Sequence, residues 1–177
     1  PSMKKLESEV LEMGLSLHHA PEKAVATFTS GGSESIFLAM MAARNRARAR
    51  RGTTRPNIVL PNSAHLTFDR AAEALGLEAR RVPVGPDLRA DVAAMAARMD
   101  DETVALVGSA PNYPFGTFDP IAELAALAAK RGTWMHVDAC VGGFLAPYVR
   151  RLGFDIPAFE LSVPGVTSLS ADIHKHG

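Results

Sequence analysis

The sequence predicts an α/β domain built on a mainly parallel, doubly wound sheet. Three observations carry that prediction. Apolar β-type runs recur along the chain, each is followed by a glycine or polar turn, and most turns lead into an amphipathic helical stretch. Strands covered on both faces read as continuous apolar runs, and their alternation with helices implies parallel pairing through crossover connections.

A helix is expected over residues 4–17, where Leu6, Val10, Leu11 and Met13 recur on one side among charged residues, until Pro21 breaks the pattern. It defines an N-terminal helical segment, residues 1–20, ahead of one large domain over residues 21–177. The run Ala24-Val25-Ala26-Thr27-Phe28-Thr29 reads as the first strand, followed by the Ser30-Gly31-Gly32 turn and a helix over 33–50. A second strand is expected at 57–60 with a helix over 64–75, and a third at 78–82 with a helix over 90–99. The fourth strand, 103–107, precedes a helix that Pro120 opens and that runs to residue 130. Strands at 133–137 and 166–170 bring the expected count to six. No internal repeat or low-complexity linker interrupts this order.

With 177 residues, 47% hydrophobic and 21% charged, the composition is that of one globular domain with a sizeable core. Nineteen basic and nineteen acidic side chains cancel, so no global field recruits nucleic acid or an anionic membrane. The basic block Arg44-Asn45-Arg46-Ala47-Arg48-Ala49-Arg50-Arg51 falls at a helix C-terminus, where cations oppose the negative end of the dipole, and is expected to face water. The single cysteine, Cys140, has no partner within the chain for a disulfide. With no signal-peptide pattern and no apolar stretch long enough to span a membrane, this favours a cytoplasmic location. The lysine at position 175 lies two residues from the last residue, so the sequence is expected to represent an enzyme incompletely.

Four stations along the chain carry chemistry. Ser30-Gly31-Gly32-Ser33-Glu34-Ser35 lies between a β-type run and a helix, where glycine backbone, helix N-terminus and the Ser33 hydroxyl suit a phosphate; the plain alternative is a turn with Ser33 as N-cap. His65 opens the next helix and could stack on an aromatic ring or simply sit near a cap. Asp138 ends an apolar strand with His136 on the same face, and Asn112 follows the strand before it. Carboxyl ends of parallel strands are where open sheets bind ligands, although a strand-terminal aspartate is also a common cap. Lys175, flanked by His174 and His176, is either an exposed lysine or an amine whose pKa neighbouring cations and burial depress. His18, His19 and His176 show no metal-ligand spacing, and no metal is expected. A glycine-rich turn, then an aspartate, then a lysine along the chain are what a pyridoxal-phosphate enzyme needs. The amine condenses with the cofactor aldehyde, and the carboxylate keeps the pyridine nitrogen protonated.

The motifs Ser30-Gly31-Gly32-Ser33-Glu34-Ser35-Ile36, Ser63-Ala64-His65, His136-Val137-Asp138-Ala139-Cys140-Val141-Gly142-Gly143-Phe144 and Ser170-Ala171-Asp172-Ile173-His174-Lys175-His176-Gly177 together resemble those of the pyridoxal-phosphate-dependent group II decarboxylases. They are most similar to the sphingosine 1-phosphate lyase branch. The resemblance runs from about residue 24 to the last residue. It implies the large domain of a fold-type I pyridoxal-phosphate enzyme, with Lys175 as the Schiff-base lysine, Asp138 facing the pyridine nitrogen and His65 stacked on the ring. Gly32, Ser33 and His174 would hold the phosphate, and Asn112 would lie near the phenolic oxygen. The large domain of this family has a seven-stranded sheet, so one strand, the C-terminal domain and the partner-chain loops of a homodimer are expected beyond these residues. The implied activity is carbon–carbon cleavage of a small amine substrate, a phosphorylated amino alcohol of lipid type, to an aldehyde and phosphoethanolamine; the alternative is amino-acid decarboxylation.

Two rivals come from other classes. Ser33, Asp138 and His174 follow the Ser, Asp, His order of α/β-hydrolases, but Ser35 stands where the nucleophile elbow needs glycine, and Lys175 and His65 are left without a role. A nucleotide-binding scaffold using the Gly31-Gly32 turn lacks the Gly-x-Gly-x-x-Gly spacing.

Overall fold

The computed structural model describes residues 2–176. In chain order the elements are α1 (Met3–Leu17), α2 (Gly32–Arg51), β1 (Asn57–Pro61), α3 (Thr67–Leu75), β2 (Glu78–Val82), α4 (Val92–Arg98), β3 (Thr103–Ser109), α5 (Ile121–Arg131), β4 (Trp134–Asp138), α6 (Ala146–Arg151), β5 (Ser168–Ser170) and α7 (Ile173–His176). The five strands form one sheet in the order β2-β1-β3-β4-β5, every neighbouring pair parallel.

Alternation along the central strands divides the core into two layers. Ile58, Leu60, Ala105 and Val107 point to the face covered by α2 and α3, where they meet Met40, Phe68 and Leu75. Val59, Leu106, Met135 and Val137 point the other way, onto Met95 of α4 and Leu124 and Ala128 of α5. Helices on both faces of a parallel sheet are the doubly wound arrangement that the sequence predicts.

The expected strand at 24–29 does not form. The segment runs extended but unpaired, and Val25 is 92% exposed. A β-type run needs a neighbour to satisfy its backbone, and among the described residues none pairs with it; the sheet that these residues form therefore has five strands, not the six expected. Helix starts shift for local reasons. The expected helix at 64 begins at Thr67, whose backbone N–H donates to His65 Nδ1 at 3.2 Å. The one expected at 90 begins at Val92, because the Asp91 carboxylate caps it by accepting from Ala94 N at 2.9 Å. Two short helices, α6 and α7, were not expected, and the second carries Lys175.

The basic block ends α2 as expected, but three of its arginines are docked. Arg44 donates to Leu75 O at 2.9 Å, Arg51 to Thr103 O at 3.0 Å, and the Arg46 guanidinium lies 5.6 Å from the centre of the Trp134 ring. Arg48 and Arg50 do face water. Helix α1 buries none of its residues. Its tie to the body is the next residue: buried His18 accepts from Leu161 N through its carbonyl and sets its ring edge-on to Phe144 and Phe159.

Candidate active site

A cleft of about 520 Å³ opens at the carboxyl ends of β3, β4 and β5, facing the N-terminus of α2. Gly32, Ser33, His65, Asp138, His174 and Lys175 all line it. Six side chains or turns separated by up to 143 positions in sequence are thus brought to one crevice, where open parallel sheets present their strand ends.

The α2 end of the cleft is shaped for an anion. Gly31 has φ +147°, a backbone conformation that side chains disfavour, and its carbonyl accepts from both Glu34 N and Ser35 N. The amides of Gly32 and Ser33 belong to the first turn, have no acceptor within the helix and carry its positive end. A Cβ on Gly32 would meet Cys140 Sγ at 2.8 Å and both Asp172 carboxylate oxygens at 3.0 Å, so only glycine brings the backbone this close. Ser33 Oγ lies 3.4 Å from Thr67 Oγ1, which lies 2.8 Å from His65 Nδ1. That relay orients the exposed His65 ring, which also meets Tyr113 edge-on at 5.6 Å.

At the β4 end Asp138 is buried. Its Oδ1 accepts from Cys140 N at 3.1 Å, and among the described residues Oδ2 has no partner. A carboxylate oxygen free to accept at the bottom of a cleft suits a protonated ring nitrogen. His136, on the same strand face, is withdrawn from the cleft: its Nδ1 lies 2.8 Å from Ser168 Oγ, and burial lowers its pKa to about 4 against a smaller opposing effect of Asp138.

Lys175 rises from α7, the short helix that follows β5. Its Nζ forms an ion pair with Asp172 Oδ2 at 2.8 Å. Burial pulls the ammonium's pKa down, but the hydrogen bond and charge of Asp172 outweigh it, with Asp138 adding in the same sense, and the net direction is upward. This corrects the expectation of a depressed lysine: the flanking histidines matter less than the carboxylate three residues earlier. His174 Nε2 lies 3.8 Å from the same Asp172 oxygen, and its Cε1 would lie 4.0 Å from a Cβ on Gly31, beside the anion cradle.

Asn112 departs from its expected place. It is buried outside the cleft lining, and its amide donates to Leu88 O and Thr117 Oγ1 while its oxygen accepts from Phe115 N. With its donors so engaged it braces the turn that follows β3. The hydrolase arrangement is also unmade. Ser33 bonds Thr67, His174 faces Asp172, and Asp138 bonds Cys140, so no Ser-His-Asp chain links them among the described residues. Sequence reasoning gave no role to Asp172, Cys140, Thr67 or Tyr113, all of which line the cleft. The three-residue spacing of Asp172 and Lys175 is the available signal, since residues three apart face each other on a helical turn.

The residues present fit pyridoxal phosphate: a cradle with free amides and no Cβ, an unpartnered carboxylate oxygen and an amine between them. Fold and cleft together define an open parallel α/β domain carrying an anion cradle and a buried-carboxylate, lysine-bearing crevice. Residues 1–177 match the family described as the pyridoxal-dependent decarboxylase conserved domain, and the chain belongs to that family. Among its relatives, the sphingosine-1-phosphate lyase of Arabidopsis thaliana is 44% identical over 99% of this chain and 33% of its own length. The solved structure of a sphingosine-1-phosphate lyase from Burkholderia pseudomallei superposes with a TM-score of 0.94 at 43% identity, covering 99% of this chain and 42% of that one. A glutamate decarboxylase from Lactobacillus brevis superposes with a TM-score of 0.88 at 25% identity, covering 97% of this chain and 42% of its own. The chain thus spans about a third of the plant relative and under half of either solved chain.

Proposed function

We propose that the protein is a pyridoxal-phosphate-dependent carbon–carbon lyase of the sphingosine 1-phosphate lyase type, cleaving a phosphorylated amino alcohol to an aldehyde and phosphoethanolamine. The observation that carries this reading is the convergence of Lys175, Asp138 and the Gly31-Gly32-Ser33 cradle on one cleft. Identity above 40% to lyases over nearly the whole chain favours carbon–carbon cleavage over decarboxylation. When bound, the cofactor supplies an aldehyde that captures amines reversibly and a ring that accepts the electron pair of a broken bond.

The chain's own residues then have distinct tasks. The Gly32 and Ser33 amides, the Ser33 hydroxyl and His174 hold the phosphate. Asp138 Oδ2 would accept from a ring nitrogen and, by its charge, would keep the proton there. The His65 ring, oriented through Thr67, would cover the ring face. Lys175, whose Nζ lies in the cleft, is the residue that would anchor the cofactor through its amine, once that amine has lost its proton. The same reading divides the chain into a helical segment, residues 1–20, and a large domain, residues 21–177.

A cytoplasmic location and a homodimer belong to this proposal. No helix among the described residues is long and apolar enough to cross a membrane. The exposed Leu6, Met13, Tyr148 and Leu152 give α1 and the α6 end apolar surface suited to a second chain. The test is direct. Incubated with a phosphorylated long-chain amino alcohol, the purified full-length protein should release aldehyde without carbon dioxide, and borohydride reduction of the resting protein should leave a phosphopyridoxyl adduct on Lys175. Carbon dioxide from an amino acid with no aldehyde from the amino alcohol would make it a decarboxylase, and an adduct on another lysine would remove Lys175 from its role.

A further inference from the structure

Asp172 has no task in the reading above, yet it occupies the centre of the cleft floor. Its side chain is only 5% exposed. Oδ2 lies 2.8 Å from Lys175 Nζ and 3.8 Å from His174 Nε2, and both oxygens back against Gly32 at the start of α2. The backbone fixes this arrangement, since Lys175 N donates to Asp172 O at 3.4 Å across one helical turn. A carboxylate packed directly behind an anion cradle repels a phosphate unless cations share its charge. Lys175 is the cation that pairs with it, and the His174 ring lies beside the same oxygen.

We infer that Asp172 is a positioning residue, which holds the Lys175 ammonium at the cleft floor by a tie that must break before the amine can act as a nucleophile. The inference rests on Lys175 being the cofactor-anchoring lysine. The other titratable groups facing Nζ are Asp138 from β4, the Cys140 thiol beyond it and His174 on α7 itself. The thiol is neutral because burial pushes its pKa far up, and Asp138 acts in the same sense as Asp172 without a hydrogen bond to Nζ. The direction of the Lys175 shift agrees with this geometry. For Lys175 to react, one proton leaves Nζ for water.

Competitive acylation with trace acetic anhydride tests this on the full-length protein stripped of cofactor, read residue by residue by peptide mass spectrometry from pH 6 to 11, with Lys23 and Lys130 as internal references. In Asp172→Asn the relative acylation of Lys175 at pH 8 should rise about threefold, the scale of a partly exposed ion pair, and Asp172→Glu should return it toward the parent. A profile unchanged in Asp172→Asn overturns the inference. If that variant does not fold, the parent protein decides alone: Lys175 must lag Lys23 and Lys130 at pH 8, and a Lys175 that reacts ahead of both overturns the tie. Because no cofactor is present, this result is independent of the borohydride test, and either can fail without the other.

Discussion

At the residue scale, the cleft works by leaving selected polar atoms without protein partners while bracing everything around them. Asp138 illustrates the division, one oxygen held by Cys140 N and the other left open to the cleft. Asp138→Asn preserves the shape and removes the charge. Cofactor should still bind, while turnover falls by about 10² or more, since one preorganised electrostatic partner is commonly worth about 3 kcal/mol. Steady-state kinetics at saturating cofactor checks this, and near-normal turnover would make Asp138 a strand-end cap. The residues legible in the sequence are those whose chemistry is unusual for their local setting: a lysine between histidines, a carboxylate ending an apolar strand, a serine after paired glycines. Asp172 escaped because an aspartate before a short polar segment resembles an ordinary cap, and its significance lies in the burial of its carboxylate against Gly32, which spacing alone does not reveal. Asn112 was misplaced for the converse reason: proximity to a strand end says nothing of where the amide points, and its own turn engages both donors.

At the element scale, α1 to α5 and the four longer strands are legible because apolar alternation and capping residues are local signals, and two helix starts shift where His65 or Asp91 takes over the first amides. The strand expected at 24–29 failed on a non-local condition, the presence of a pairing neighbour. The α2 N-terminus joins both scales. Gly32→Ala would drive a methyl group into Cys140 Sγ and the Asp172 carboxylate, at 2.8 and 3.0 Å. Sulfur and carboxylate both belong to buried side chains with little room to retreat, so the helix start should shift. We expect a stability loss of about 1–3 kcal/mol, the usual cost of overpacking, together with weaker retention of pyridoxal phosphate. Denaturant titration and cofactor release on dilution check the two parts. Unchanged stability with normal retention would mean that the cradle is looser than its contacts indicate.

At the scale of the whole molecule, two buried histidines link stability to pH. His18 and His136 each have a pKa lowered from 6.5 to about 4, by burial first, with Glu160 opposing it for His18 and Asp138 for His136. A depressed histidine means that the unfolded chain binds the proton more readily, so stability is present above about 6.5 and is lost as pH falls toward 4. Within that window each such histidine should steepen the loss by up to about 1.4 kcal/mol per pH unit. Asp100, drawn down to about 2 by hydrogen bonds from Asn57, Arg80 and Thr103 that outweigh its desolvation, acts only below the ordinary carboxylate value of 3.8. Burial raises Asp119, which acts in the opposite sense. His18 separates cleanly from the catalytic machinery. It sits between Phe144 and Phe159 near the ion pair of Arg150 with Glu160, and neither ring nitrogen has a partner among the described residues. His18→Leu therefore loses no side-chain hydrogen bond while keeping the backbone bond to Leu161. Urea titrations at pH 7 and pH 5 should show stability at pH 7 equal to or above that of the parent and a shallower fall to pH 5. An equal fall in variant and parent would mean that His18 is already solvated in solution, and that α1 is held to the body less firmly than its buried anchor implies.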